Sequence, residues 1–337
     1  MSDLILFIGV LITSALITGF IRSYALRSGL IDTPNPRSSH DRPTPRGGGL
    51  SIVITFIALL VLLYLITDMP KQVFYALLSG GTVIGGVGLL DDRRHIPAAY
   101  RILVHFAAAS IAVYMIGGLP PLQIGAHSID LGWSGHILSV VFLVWLTNLF
   151  NFMDGIDGIA TIEAIFIASA AFIISDAEPR HYLMLLEAGL AASCVGFLFW
   201  NWPPAKIFLG DVGSGFLGVI LGTLAIISAN LNDLPIWTWL ILAGVFIADA
   251  TVTVVRRMIN GEKWYTAHRS HAYQRAARRL QSHKQVTVLV SAINVGWLLP
   301  LAWFSALRPE FGWWLTLLAW APLCVIAVFL GAGRLED

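Results

Sequence analysis

The sequence predicts an all-α, polytopic integral membrane protein of about eleven transmembrane helices (ten to eleven), forming a single domain over residues 1–337. Three observations carry this. Charged residues make up only 12% of the chain and apolar ones 57%, with a mean hydropathy of +0.76, whereas soluble chains carry about 25% charged residues. Apolar stretches near the roughly 20 residues needed to cross a bilayer recur along the whole chain. The basic residues between them fall almost entirely in alternate loops.

The stretches run near residues 4–26, 48–67, 73–90, 101–118, 134–150, 157–175, 182–200, 212–230, 234–255, 286–306 and 312–331. The first has no basic segment before it. Asp3 precedes it and Arg22 and Arg27 follow it, which suits a retained helix with its N-terminus outside. Cys194 and Cys324 both lie inside apolar runs, the setting of packing thiols rather than of a disulfide framework.

The loops divide sharply. Odd-numbered loops hold 17 of the 21 Lys and Arg residues; even-numbered loops hold only Lys71, Arg180 and Arg308. The positive-inside rule then places the odd loops in the cytoplasm and the N-terminus outside. Every conspicuous polar motif falls in an odd loop: HDRPTPRGGG (40–49), DDRRH (91–95), NLFNFMDGIDG (148–158), NWPPAKIFLGDVGSG (201–215) and AHRSHAYQRAARR (267–279). A transporter would place polar groups near mid-bilayer on several helices. This pattern points instead to chemistry at the cytoplasmic face.

Asp91 and Asp92 are adjacent carboxylates, which repel unless a cation or basic partner relieves them. A solvated helix end beside Arg93 and Arg94 is the plainer explanation. Asp211 stands in a glycine-rich turn before an apolar helix. It could cap that helix, or hold a cation beside an anion drawn to the helix N-terminus. Hard oxygen ligands from few carboxylates, completed by phosphate, describe a Mg²⁺ site.

Asn148, Asn151, Asp154 and Asp157 recur every third residue, an advance of about 300° per step on an α-helix. Asn148 and Asn151 can share a face, whereas Asn148 and Asp157 would lie opposite. Gly155 and Gly158 therefore predict a break in the helix with the carboxylates inside it, which membranes tolerate where the break lines a cavity. A capping Asp and ordinary turn glycines account for one Asp but not for both amides. In the ninth loop His268 and His271 form an HxxH pair with no third ligand nearby, which disfavours zinc. The loop reads either as a basic face on anionic lipid or, given its interleaved Tyr273, Gln274 and Arg269, as a phosphate or sugar site.

Together these motifs describe a membrane enzyme acting on a diphosphate. NLFNFMDGIDGIA, PAKIFLGDVGSG, the DD pair and the His-containing ninth loop resemble the polyprenyl-phosphate N-acetylhexosamine-1-phosphate transferases, the family that includes the phospho-N-acetylmuramoyl-pentapeptide transferases. The resemblance runs from PTPRGGG to the ninth loop. HRSH replaces the three consecutive histidines of the peptidoglycan members and looks closer to the O-antigen and exopolysaccharide branch.

The resemblance implies transfer of a HexNAc-1-phosphate, possibly 6-deoxy in its sugar, from a UDP-N-acetylhexosamine to undecaprenyl phosphate with release of UMP. It implies Mg²⁺ as cofactor, with Mn²⁺ able to substitute, and a bacterial inner-membrane location with a periplasmic N-terminus. Partners would be the lipid bilayer and a second copy in a homodimer, with no nucleic acid. Asp211 matches the family's magnesium-binding aspartate and Asn151 an asparagine that joins it. Asp91 matches the proposed base, and Asp92, Asp154 and His268 complete the expected catalytic set. Asp157, the Gly155–Ile156 backbone and Phe208 resemble the uracil-binding segment. Asn148, Asn201, Lys206, Arg269, His271 and His40 complete the expected substrate-binding set. Two other readings stay open: an intramembrane prenyltransferase, whose paired Asp-rich motifs are not both present, and a nucleotide-sugar transporter or flippase, which would release no UMP.

Overall fold

The computed structural model describes residues 2–34, 42–94, 96–175, 181–262 and 269–334. The chain is helical almost throughout. Its helices are α1 (Ser2–Ser28), α2 (Leu50–Ile66), α3 (Lys71–Arg93), α4 (Ala98–Ile116), α5 (Trp133–Met153), α6 (Ile159–Ile174) and α7 (His181–Asn201). Then follow α8 (Gly210–Asn230), α9 (Ile236–Leu242), α10 (Gly244–Ile259), α11 (Ala272–Leu280), α12 (His283–Ile293), α13 (Leu299–Leu307) and α14 (Gly312–Leu330). Among the described residues, two short antiparallel ribbons are the exceptions to the all-α expectation: Ile31–Asp32 with Thr44–Pro45, and Leu122–Ile124 with His127–Ile129.

Each expected apolar stretch coincides with helix. Among the described residues, eight helical segments are long and apolar enough to cross a membrane, α12 and α13 counting as one through a π-helical turn at Asn294–Leu298. Two stretches, α2 and α6, are shorter, at 17 and 16 residues. At 1.5 Å per residue they reach about 25 Å, short of the about 30 Å hydrocarbon core. The stretch expected at 234–255 departs most. It is a pair, α9 and α10, bent by 76°. The chain turns at Ala243, where no apolar count registers a change of direction.

At the centre stands α8, apolar on every side and wholly enclosed along its span. A helix without a polar face is a core helix. Its neighbours approach at backbone distance. A Cβ built on Gly88 of α3 would stand 2.4 Å from the Asp211 carbonyl oxygen, and one on Gly218 would stand 2.5 Å from the carbonyl of Leu146 in α5. Small residues at such crossings let membrane helices close on one another where no hydrophobic force drives them together. Because α3, α5 and α8 touch this closely, the C-terminal ends of α3 and α5 meet the N-terminal end of α8, where the acidic motifs lie.

Candidate active site

The site is built from helix ends. The first turn of α8 begins at Gly210 with φ +76°, and a Cβ there would meet the Asp92 carboxylate at 2.6 Å. Glycine thus permits Asp92, the penultimate residue of α3, to cap α8 across the interface. Its two oxygens accept the backbone N–H groups of Asp211 and Val212, each at 3.1 Å. These are amides an α-helix leaves unpaired at its start. Asp92 is buried, and its polar oxygens are satisfied by that helix end. The geometry gives Asp92, expected among the catalytic residues, a capping task.

Asp91 faces the other way. One oxygen accepts the Ile96 N–H at 2.6 Å; the other pairs with the Arg101 guanidinium. It is buried, which sets aside the solvated helix end. The same Arg101 nitrogen donates to Asp211 at 2.8 Å, and the second Asp211 oxygen accepts the Asn151 amide at 2.7 Å. Asp91, Asp211 and Asn151, separated by up to 120 positions, therefore meet around one guanidinium. Arg101 was counted in sequence only as a loop charge. Its signal was a basic residue one helical start after the DD pair.

The helix break predicted after Met153 is present: α5 ends there, and Asp154 and Asp157 lie between it and α6. Burial, then the neighbouring Asp211, Asp92 and Asp157 carboxylates, push the Asp154 carboxyl well above the usual range. Gly155 lies against α11. A Cβ there would stand 2.2 Å from the Tyr273 hydroxyl, which donates to the Phe152 carbonyl at 2.9 Å. Burial holds that phenol well above its ordinary value, so it remains a donor.

A cavity of about 700 Å³ opens beside this break. Its walls include Asp157, Phe208, Arg269, Arg42, Arg278 and Lys284. Four basic side chains around one carboxylate and one ring suit a ligand carrying phosphates and a planar base. Phe208 is held by its backbone, whose N–H donates to the Pro45 carbonyl at 2.8 Å.

Other expected residues lie elsewhere. Asn148 donates to the Val144 carbonyl at 2.6 Å and faces His105, a turn deeper in α5 than Asn151. Asn201 is buried, accepting from Thr161 and donating to the Ile207 carbonyl, which fixes the loop before α8. Lys206 lies over the Trp200 ring, 5.8 Å from its centroid, beside Arg22 of α1. His271 is buried with its ring 3.3 Å from Asp249, stacked on Tyr273. It stands at the start of α11, whose first amides, Ala272 and Tyr273, donate to Asp249 at 2.8 and 2.9 Å. Sequence reasoning missed Asp249, an acid inside an apolar stretch and so detectable as costly at that depth. His40 and His268 lie outside the described residues.

The donor set accommodates a hard divalent cation. Asp211 is already drawn to a positive group, and Asn151 spends its Nδ2 on Asp211, which leaves a carbonyl oxygen in its chemistry. Among the described residues no cluster of three or more His, Cys, Asp or Glu stands at metal-binding spacing. Substrate phosphates would have to complete the shell.

Comparison with known proteins agrees with this architecture. The model of glycosyl transferase family 4 matches residues 73–229, from α3 to α8. A probable undecaprenyl-phosphate N-acetylglucosaminyl 1-phosphate transferase of Bacillus subtilis is 30% identical, over 86% of this chain and 81% of the relative. The chain belongs to glycosyl transferase family 4. Within the family, an undecaprenyl-phosphate alpha-N-acetylglucosaminyl 1-phosphate transferase of Thermotoga maritima is 29% identical over 83% of this chain and 84% of its own length. A phospho-N-acetylmuramoyl-pentapeptide-transferase of Rickettsia canadensis is 25% identical over 73% and 74%. The family 4 match covers Asp91, Asp92, Arg101, Asn151, Asp157 and Asp211, and leaves the ninth loop outside it.

Proposed function

We propose that this family 4 chain transfers N-acetylhexosamine 1-phosphate from a UDP-linked donor to undecaprenyl phosphate, releasing UMP, as the first membrane step of O-antigen or another surface polysaccharide. The observation that carries this is the meeting of Asp91 and Asp211 on Arg101, with Asn151 on Asp211, together with a basic cavity walled by Asp157 and relatives named for polyprenyl-phosphate acceptors. In the reaction an acceptor phosphate oxygen attacks the β-phosphorus. The bond from that phosphorus to the bridging oxygen breaks, and UMP leaves with the electron pair.

The acceptor is a phosphate monoester with a second pKa of about 6, so near pH 7 it attacks largely as the dianion. Asp91, with both oxygens engaged, then serves by holding Arg101 where anionic phosphates converge, rather than by taking a proton. Arg278, Lys284 and Arg269 grip the diphosphate, Phe208 receives the base face-on, and Asp157 accepts from its N–H. Asp211 and Asn151 would hold Mg²⁺, which when bound neutralises charge developing on the leaving UMP. The site would face the cytoplasm of a bacterial inner membrane with a periplasmic N-terminus, a reading supported by the 17-to-3 distribution of basic residues.

The test is UMP release from a panel of UDP-HexNAc donors, 6-deoxy forms included, with undecaprenyl phosphate and Mg²⁺. One donor should turn over, and Asp211→Asn should retain under about a tenth of that rate, since groups placed on transition-state charge contribute ~10²–10³-fold. Equal turnover by Asp211→Asn would remove Asp211 from the reaction.

A further inference from the structure

Asp157 is held from two directions. Among the described residues, the hydrogen bonds and ion pairs reaching its carboxylate fall on Oδ2: the Ala205 N–H donates to it at 3.1 Å and His283 Nδ1 stands 3.4 Å away. The Asp157 backbone N–H donates to that same Nδ1 at 3.4 Å, and the Thr287 hydroxyl donates to the Asp157 carbonyl at 3.1 Å. His283 and Thr287 are four residues apart on α12, hence on one helical face. Deeper along the same span, Asn294 donates to Glu163 of α6 at 2.6 Å, with both residues fully enclosed. Glu163 lies six residues beyond Asp157. The α12 span is therefore fastened to the segment carrying Asp157 at three levels, and His283 is the fastening that opens on the cavity, where it lines the wall with Asp157.

We infer that His283 is a positioning residue of the donor site: through Nδ1, which accepts the Asp157 backbone N–H, it fixes the segment that presents the Asp157 carboxylate and so sets affinity for the nucleotide half of the donor. This rests on the reading of the cavity as a nucleotide-diphosphate site. Carboxylate Oδ2 is taken by the protein, so Oδ1 is the oxygen presented to a ligand N–H. Without His283 the segment carrying Asp157 gains conformational freedom that binding must then remove, a cost expressed in binding rather than in the chemical step.

The experiment uses the full chain in lipid nanodiscs, with UDP as probe for binding and UDP-HexNAc plus undecaprenyl phosphate for turnover. His283→Ala should raise the UDP Kd and the donor KM about tenfold, a change of roughly 1.4 kcal/mol, with kcat and the acceptor KM nearly unchanged. His283→Asn, which places a polar atom where Nδ1 stood, should restore most of the affinity; His283→Gln, which places one where Nε2 stood, should not. Asp157→Asn and the double variant Asp157→Asn/His283→Ala should bind UDP equally weakly, because the histidine acts through residue 157. Unchanged UDP binding in His283→Ala overturns the inference. So do penalties that multiply in the double variant, rescue by Gln rather than Asn, or a fall in kcat with KM unmoved. Wild-type chain that binds UDP but releases UMP from no donor defeats the proposed function and leaves the positioning role standing. Wild-type chain that binds no UDP defeats both.

Discussion

Asp91 and Asp154 are both acids of the same cluster, yet their surroundings assign them opposite behaviour. Asp91 is paired with Arg101 and accepts from the Ile96 amide. Asp91→Asn should therefore lose most turnover by releasing Arg101, and the deficit should stay constant as pH rises; recovery well above the acceptor's pKa of about 6 would make it a base. Burial, then Asp211, Asp92 and Asp157, push the Asp154 carboxyl well above the usual range. A carboxyl raised in the folded state costs nothing below its unfolded value of about 3.9. Above that value the unfolded chain gives up a proton that the fold retains, so stability falls with rising pH until the folded pKa is passed. Asp154→Asn should flatten that fall: between pH 5 and 8 its apparent Tm should decline less than the wild type's. An equal decline would show that Asp154 titrates normally. The acids, amides and glycines of this site were legible in sequence because each is costly in an apolar run. Arg101 was not, because a guanidinium near a loop resembles any topogenic charge until its partners are in view.

The elements show the same split. The break between α5 and α6 was readable from Gly155 and Gly158, and α8 from its unbroken apolar run. The bend between α9 and α10 was not, nor that His271 turns inward, since both depend on packing partners remote in sequence. Asp249 is the clearest case: an acid on α10 caps α11, 23 residues later, and gives that helix its position beside Gly155. Asp249→Ala should cost about 0.5–2 kcal/mol, the range for a lost helix cap, and the loss should be local. Hydrogen exchange over residues 272–280 should accelerate, and the donor KM should rise, because α11 brings Gln274, Ala277 and Arg278 to the cavity wall. Unchanged exchange in α11 would show that its contacts with α14 hold it instead.

At the scale of the molecule, the motifs of five loops were predicted on one face, and the helix ends bearing them do converge: α3, α5 and α8 at the acids, α6 and α12 at Asp157, α10 and α11 at Asp249. Which side of the membrane that face occupies is read from charge alone. Single cysteines replacing Ser128 and Arg279, both exposed, in a chain with Cys324→Ser, should label oppositely with an impermeant thiol reagent in intact cells, Ser128→Cys from outside. Labelling of both from outside would reverse the assignment of the ninth loop.

The central claim is that the site moves a sugar together with its phosphate. A UDP-HexNAc donor labelled at the β-phosphate, supplied with undecaprenyl phosphate, Mg²⁺ and the purified chain, tests it in one measurement. The account predicts the label in the lipid fraction, in step with UMP as the released nucleotide. Label left in the aqueous phase as UDP, with unphosphorylated sugar on the lipid, would contradict it, as would donor recovered intact.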